Sequence, residues 1–272
     1  SEAVIAAQAN DRGVANPSSI TFQGADEGDQ QLVRAVRARG SFEDWQRAIS
    51  FLRPHDGATL ALYAALAPPM LAIETKNFLV SFAGPTSCGK TTALRVGASC
   101  WGIPEAGSDG AGEAGFVKSW DSTRIYLERS CTVLDSHPML IDETTTVKNR
   151  ETISEVIYDI CTGRGRGRGS AAGLASSGTW HTVALCSGEE SITAYSQKGG
   201  TRARVLELWN SPFSSQSNET AQLIRQLSTR LMANYGHAGP RLVRYLVDAY
   251  HDRATLVRRF REFEQYYIQC AG

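Results

Sequence analysis

The stretch NFLVSFAGPTSCGKTTAL, residues 77–94, decides how the rest of the chain is interpreted. Residues 77–82 predict a short buried strand, because four of these six positions are apolar and a glycine segment follows them. The segment GPTSCGKT at 84–91 fits the pattern G-x-x-x-x-G-K-[ST], and residues 91–100 read as a helix. Strand, glycine loop and helix in this order predict a phosphate-binding loop.

The residue types in this loop explain how it would bind a nucleotide. Gly84 and Gly89 let the backbone curl so that successive N–H groups point at phosphate oxygens. The helix that follows adds the positive end of its dipole. We expect Lys90 to reach the β- and γ-phosphates and the Thr91 hydroxyl to coordinate magnesium. The predicted ligands are therefore ATP and Mg²⁺, and the predicted nucleotide contacts are Gly84, Pro85, Thr86, Ser87, Cys88, Gly89, Lys90, Thr91 and Thr92.

A second signal is MLIDE at 139–143, an apolar strand that ends in two acids. Asp142 is placed to hold the water bound to magnesium, and Glu143 is placed to act as the general base toward an attacking water. The adjacent glutamate, together with the absence of an N-K-x-D guanine-reading motif, argues against a small GTPase. We therefore predict ATP hydrolysis with Thr91 and Asp142 as the metal-holding residues.

A third apolar strand is predicted in WHTVALCSGEE at 180–190. In this class of ATPase a polar residue at the end of a neighbouring strand senses the γ-phosphate, and Ser187 occupies that position. The alternative is a serine that simply ends a strand. Glu189 either assists the chemistry or is a solvated loop acid, and the sequence does not separate the two.

Two arginines precede the last predicted strand, in GGTRARVLEL at 199–208. In ring-forming ATPases an arginine at this point reaches the γ-phosphate of the neighbouring subunit and stabilises the charge of the transition state. Arg204 is the candidate for this catalytic role, with the choice between Arg202 and Arg204 left open. The alternative is a pair of ordinary surface arginines.

The segment TGRGRGRGS at 162–170 alternates arginine with glycine. Such a segment cannot bury apolar area, so we expect an exposed and flexible loop. Guanidinium groups suit phosphate backbones, and a flexible basic loop suits a single strand. Arg164, Arg166 and Arg168 are therefore candidate nucleic-acid contacts, with single-stranded DNA as the expected partner; the alternative is a solvated loop.

Composition limits the class of protein. The 272 residues contain 28 Lys plus Arg and 28 Asp plus Glu, so any nucleic-acid surface must be local. No apolar run reaches the roughly 18 residues that span a bilayer, and the first residues lack the pattern of a signal peptide. Six cysteines without a C-x-x-C pair are typical of buried thiols in a reducing compartment. We expect a cytoplasmic protein without a membrane partner.

The order of elements predicts an α/β P-loop NTPase of the additional-strand type, in which a parallel sheet lies between layers of helices. Residues 1–40 are expected to be a linker or the edge of a missing N-terminal region. Residues 41–76 predict a helical segment, with one helix that starts at Ser41 as its N-cap and a second helix at roughly 59–71. Residues 77–210 predict the ATPase core. Residues 211–272 predict a helical C-terminal subdomain, in which Pro240 opens a longer helix.

With these motifs in order, the chain resembles the ATPases of phages, prophages and mobile elements that form domain-of-unknown-function family 927, which are usually described as superfamily helicases. The resemblance covers roughly residues 40–210 and implies an AAA+-like fold, assembly into a ring, and translocation on DNA during replication of a mobile element. The stretches that carry it are GSFEDWQRAISFL, FAGPTSCGKTTALRVGASCWG, SWDSTRIYLE, LIDETT, VIYDICTGRGRGR, WHTVALCSGEESI and RARVLEL. The residues that fall on the family's motif positions are Lys90, Thr91, Asp142, Glu143, Ser187 and Arg204.

The resemblance has limits. The family tends to carry a lysine in the glycine loop after the mid-domain helix, where this chain has arginines alone. Residues 1–39 and 211–272 match poorly, so we expect a fragment, or a variant without an accessory domain.

The function expected from these signals is a hexameric DNA helicase or translocase, or its motor domain. One alternative is an AAA+ switch or loader that remodels a protein partner, and another is an ATP-gated protein that marks DNA without unwinding it. A non-hydrolysing scaffold is disfavoured by intact Lys90, Asp142 and Glu143.

Overall fold

The predicted strand, glycine loop and helix are present in the computed structural model, where the strand is Phe78–Ala83 and the helix Lys90–Ser99. The structure describes residues 24–73, 76–105, 115–147, 150–170, 173–175, 177–195, 199–214, 217–250 and 252–271. The helices are α1 (Glu27–Val33), α2 (Phe42–Ile49), α3 (Asp56–Leu66), α4 (Lys90–Ser99), α5 (Arg124–Val133), α6 (Arg150–Thr162), α7 (Gly199–Arg202), α8 (Asn218–Ala233), α9 (Ala238–Ala249) and α10 (Arg253–Ala271). The strands are β1 (Phe78–Ala83), β2 (Val117–Ser119), β3 (Met139–Asp142), β4 (Arg168–Ser170), β5 (Gly173–Ala175), β6 (Val183–Gly188) and β7 (Val205–Trp209).

Five of these strands form one parallel sheet in the order β2-β3-β6-β1-β7. Strand β6 is inserted between β1 and β3, although it follows both in the chain. The α/β prediction with a parallel sheet between helices is confirmed. Because the strands are parallel, the loop after β1 and the acids after β3 lie at the same edge, together with the end of β6.

Both faces of the sheet are buried, which explains why its central strands read as apolar runs. On one face Val80 and Phe82 of β1 belong to a core shared with α3 and α4. On the other face Leu79 belongs to a core shared with α5 and α6. Alternate residues of β1 thus pack against two layers of helices. This packing fixes the end of β1 from which the glycine loop starts.

Helix starts were easier to predict than helix ends. Helix α2 begins as predicted at Ser41, whose hydroxyl oxygen accepts the N–H of Asp44 at 3.1 Å. The helix predicted over 59–71 is instead α3, followed by a separate 3-10 turn at Pro68–Ala72. Proline fits the start of a helical turn and not its interior, because it lacks the N–H donor.

The single long helix predicted from Pro240 onward is wrong, since α9 ends at Ala249 and α10 begins at Arg253. The Asp252 carboxylate accepts the N–H of Thr255 at 2.8 Å and so caps the new helix. Helix α8 packs against α2 and α4 and contributes Leu227 and Leu231 to the core. Among the helices that the structure describes, none combines the length and apolar character needed to cross a membrane.

The arginine-glycine segment is more ordered than the flexible loop that its sequence predicts. Strands β4 and β5 pair antiparallel, Arg164 bridges to Thr179, and the N–H of Gly165 donates to the Gly178 carbonyl at 2.8 Å. We call the described residues of 163–179 the arginine ribbon. A Cβ at Gly165 would lie 2.5 Å from the Glu128 carboxylate, so glycine lets the ribbon approach α5 closely.

The cysteines are free, and all but Cys270 are buried. Burial raises the pKa of the Cys161 thiol to about 11 and that of Cys186 to about 12, so both stay protonated at neutral pH. The expectation of buried thiols holds for five positions and is wrong for Cys270.

Candidate nucleotide-binding site

The glycine loop has the backbone geometry that its sequence predicts. Gly84 and Gly89 have φ values of 150° and 93°, which favour glycine. A Cβ at Gly89 would lie 2.6 Å from the ring of Phe213, and one at Gly84 would lie 3.2 Å from the backbone nitrogen of Asn210. The loop is therefore shaped both by its own dihedral angles and by the segment that follows β7.

The Lys90 ammonium group lies inside the loop. Only 7% of the residue is exposed, and its Nζ donates to the carbonyl oxygens of Gly84 at 2.8 Å and Pro85 at 2.7 Å. A buried ammonium needs such acceptors because it has lost water. The lysine thus sits at the position where a phosphate oxygen would take over from the two carbonyls.

The acid pair and Ser187 meet beside this loop. The Asp142 carboxylate accepts the Thr91 hydroxyl at 3.3 Å and also accepts the hydroxyl of Ser187. The backbone N–H of Glu143 donates to the Ser187 hydroxyl oxygen at 3.1 Å. Ser187 is 1% exposed, and its hydroxyl is a buried link between the Asp142 carboxylate and the backbone N–H of Glu143.

Glu143 has a backbone φ of 66°, a conformation that most side chains avoid. Its carboxylate accepts the N–H of Thr145 at 3.3 Å and the hydroxyl of the same residue. The left-handed turn directs the glutamate to the cavity above the loop, where it lies with Lys90 and Thr91. A water activated by Glu143 would have to compete with Thr145 for this carboxylate.

A cavity of about 290 Å³ lies between the loop and α8. Three residues that line the cavity belong to none of the predicted motifs: Ala221, Ile224 and Arg225. The predicted members of the lining are Thr86, Ser87, Gly89, Lys90, Thr91, Thr92 and Glu143. Arg225 adds a second positive charge to the cavity, and its place on an ordinary amphipathic helix left no signal in the sequence.

Glu189 also reaches the loop. Its Oε1 accepts the hydroxyl of Thr86 at 2.8 Å. Glu189 therefore contacts the glycine loop directly. A part for this acid in the chemistry stays a prediction.

These residues fit a nucleotide with magnesium. Thr91 and Asp142 offer oxygen atoms, which Mg²⁺ prefers, and the loop offers backbone N–H groups and one lysine. Within the part of the chain that the structure describes, no group of three or more His, Cys, Asp or Glu side chains could hold a metal by itself.

Arg204 and Arg202 are not brought to this site. Arg204 directly precedes β7, and its carbonyl accepts the N–H of Leu79 at the start of β1. The loop follows the other end of β1, which at roughly 3.3 Å per residue places it about 15 Å away. Arg204 is thus at the edge of the sheet opposite the glycine loop of its own chain.

The arginine ribbon also leaves the sheet at that opposite edge, between the end of α6 and the start of β6. Arg164 and Arg166 are exposed, and an N–H of Arg166 lies 3.1 Å from the Glu155 carboxylate. Glu155 also pairs with Arg124, so one acid joins the ribbon to α5 and α6. The side chain of Arg168 lies outside the described residues.

Replacing Gly89 with alanine is expected to lower the free energy of unfolding by roughly 1–3 kcal/mol, because a side chain is strained at this backbone conformation. The new methyl group would also meet the Phe213 ring. Urea unfolding measures the difference. Gly199→Ala is the control, since a Cβ there has no neighbour within 4 Å. Equal stability of the Gly89→Ala and wild-type proteins would show that the loop does not need glycine at this position.

Among solved structures, the one described as "SCCmec type IV Cch - active helicase" matches with a TM-score of 0.63 and 25% identity, over 78% of this chain and 38% of that chain. This chain therefore spans well under half the length of that helicase. The C-terminal region of NrS-1 matches at 13% identity with a TM-score of 0.36, over 76% of this chain and 47% of that one. A JCV helicase matches at 13% identity with a TM-score of 0.34, over 88% of this chain and 69% of that chain.

No curated protein matched in the sequence comparison. The model of the family described as "Domain of unknown function (DUF927)" matches residues 12–180. This match starts earlier than the resemblance read from the motifs and ends before Ser187 and Arg204. The match includes the glycine loop, the acid pair and the arginine ribbon. The matched residues are more than half of the chain. The chain belongs to the DUF927 family.

Proposed function

We propose that this chain is an ATP hydrolase of the AAA+-like, additional-strand type that works as a DNA helicase or translocase of a mobile genetic element. The observation that carries the proposal is the meeting of Lys90, Thr91, the acid pair and Ser187 at one edge of the sheet. The insertion of β6 between β1 and β3 supports the additional-strand class. The likeness to a solved helicase at a TM-score of 0.63 supports the second step of the proposal.

Each residue of the site has a part in the proposed hydrolysis. Lys90 leaves its two carbonyls for the β- and γ-phosphates, and Arg225 approaches the polyphosphate from α8. Thr91 and Asp142 would hold Mg²⁺, which would neutralise phosphate charge when bound. Glu143 accepts the proton of the attacking water, and Ser187 keeps both acids in place.

Glu143→Gln is expected to slow ATP hydrolysis by roughly 100-fold or more while nucleotide binding persists, because an amide cannot accept the proton of the attacking water. Steady-state phosphate release and binding of a fluorescent ATP analogue measure the two effects. Lys90→Ala is the comparison, since it should lose binding as well. Wild-type turnover by the Glu143→Gln protein would remove this residue from the role of base.

We propose further that the active form is a ring, with six copies as the expected number, in which Arg204 acts on the neighbouring subunit. The supporting observation is the position of Arg204 at the edge of the sheet opposite its own glycine loop. A guanidinium group that cannot reach its own site can stabilise transition-state charge only in a site to which another copy brings it. A monomer would therefore hydrolyse ATP slowly.

A mixing experiment tests this arrangement. Lys90→Ala and Arg204→Ala proteins should each be slower than wild type by roughly 100-fold or more. Mixed, they should regain activity, because a Lys90→Ala subunit still presents Arg204 to the intact loop of a neighbour. The same series with Arg202→Ala separates the two arginines. A mixture no more active than the average of its components would place the arginine outside the reaction.

DNA binding is proposed for the arginine ribbon. Arg164 and Arg166 are exposed at its base, and the antiparallel pairing of β4 with β5 presents the segment as an ordered arm. Planar guanidinium groups bind phosphate in a bidentate way, which suits the backbone of a single strand. Since the net charge of the chain is zero, a local surface of this kind is where DNA binding would have to come from.

Replacing Arg164, Arg166 and Arg168 with alanine is expected to abolish stimulation of ATP hydrolysis by single-stranded DNA. It should also lower the slope of log affinity against log salt by up to about 2, because up to three phosphate contacts are lost. ATPase rates and fluorescence anisotropy across a salt series measure both. Arg244, Arg253 and Arg258 changed together to alanine remove the same charge from α9 and α10 and serve as the control. Unchanged stimulation in the ribbon variant would exclude it from DNA coupling.

One observation favours a second candidate, an AAA+ switch or loader that acts on a protein. Glu155 already neutralises Arg166 and Arg124, which leaves less free positive charge at the base of the ribbon for DNA. Such a protein would hydrolyse ATP at a rate that DNA does not change. The same salt series therefore distinguishes the two candidates.

A further inference from the structure

The segment 189–195, which directly follows β6, contacts both the glycine loop and Arg202, the last residue of α7. We call it the relay segment. At its start Glu189 accepts the hydroxyl of Thr86 at 2.8 Å. Further along, the carbonyl of Thr193 accepts an N–H of Arg202 at 3.5 Å. This short segment therefore contacts both the glycine loop and an arginine that precedes β7.

The Glu189 carboxylate is placed to respond to phosphate. Thr86 lines the same cavity as Lys90 and Thr91, so the acid lies one hydroxyl group away from the proposed polyphosphate position. Like charges at such distances repel, and the repulsion grows with the charge on the ligand. A triphosphate should therefore weaken the contact between Thr86 and Glu189 more than a diphosphate does.

The middle of the relay segment is held by a single acid on β7. The Glu207 carboxylate accepts the Ser191 hydroxyl at 2.6 Å and the N–H of Ile192 at 2.7 Å. Residues Ile192–Tyr195 form a 3-10 turn. Because Glu207 holds the chain at Ser191 and Ile192, a displacement of Glu189 would have to turn the 3-10 turn about this point, and with it the Thr193 carbonyl that accepts Arg202.

We propose that Glu189 is a positioning residue that reports a bound triphosphate in its own subunit to the Arg202–Arg204 segment. In this proposal a bound γ-phosphate weakens the hydrogen bond from the Thr86 hydroxyl to the Glu189 carboxylate and releases the acid. The idea rests on the proposed ATPase function, since it needs a nucleotide in the loop. It goes beyond that function by giving Glu189 a role outside the hydrolysis step.

The first test changes charge and keeps the hydrogen bond. Glu189→Gln can still accept the Thr86 hydroxyl, so a purely structural role predicts no change in nucleotide affinity. We expect this variant to bind the magnesium complex of a non-hydrolysable ATP analogue about threefold to fivefold more tightly, and ADP with a smaller gain. Isothermal titration measures both ligands. Glu190→Gln is the matched control. It removes the same charge one residue away, at a side chain that contacts Tyr195.

The second test follows the segment itself by hydrogen exchange. In the wild-type protein, exchange in the peptide that contains 189–195 should rise when the ATP analogue binds. Thr86→Val removes the donor and should give high exchange in 189–195 without nucleotide. Thr86→Ser keeps the donor and should keep the low exchange of this peptide without nucleotide. Equal affinities for Glu189→Gln and wild type, or exchange that ignores the analogue, would overturn the relay. Failure of the wild-type protein to bind either nucleotide would instead overturn the proposed function.

Discussion

The position of β6 between β1 and β3 is the constraint on which the rest of the site depends. Near the end of β6, the Ser187 hydroxyl donates to the Asp142 carboxylate and accepts the backbone N–H of Glu143. The next residue, Gly188, accepts the N–H of Gly84 through its carbonyl at 3.2 Å. Glu189 then reaches Thr86. Three successive residues at one strand end thus hold the acid pair and the glycine loop in one geometry.

The same parallel sheet separates the glycine loop from the arginines. The loop and the acid pair lie at the carboxyl edge, while Arg204 and the arginine ribbon lie at the amino edge. In the proposed ATPase, any coupling between the two edges would therefore have to pass along the sheet or to another subunit. The strands are buried on both faces and closely packed, so they transmit displacement better than they absorb it. The loops at their ends are where conformational change has room to occur.

Local patterns in the sequence predicted the glycine loop, the acid pair and the parallel sheet, because dihedral preference and strand order fix them. Arg225 could not be predicted, since only the packing of α8 against α4 brings it to the cavity. The contact between Thr86 and Glu189 joins residues far apart in sequence and leaves no periodic signal. The ribbon was mistaken for a flexible loop because glycine is permissive in isolation, and its order comes from contact with α5.

Hydrogen bonds within the site pair its charged groups with neighbouring protein atoms. Lys90 donates to two carbonyls of its own loop, Asp142 accepts from Thr91, and Glu143 accepts from Thr145. In the proposed ATPase a nucleotide would have to replace these bonds, so the net gain from each exchange would be small. A ligand with several negative charges would gain more from Lys90 than a neutral ligand of the same size. Selection for polyphosphate would therefore rest on charge more than on shape.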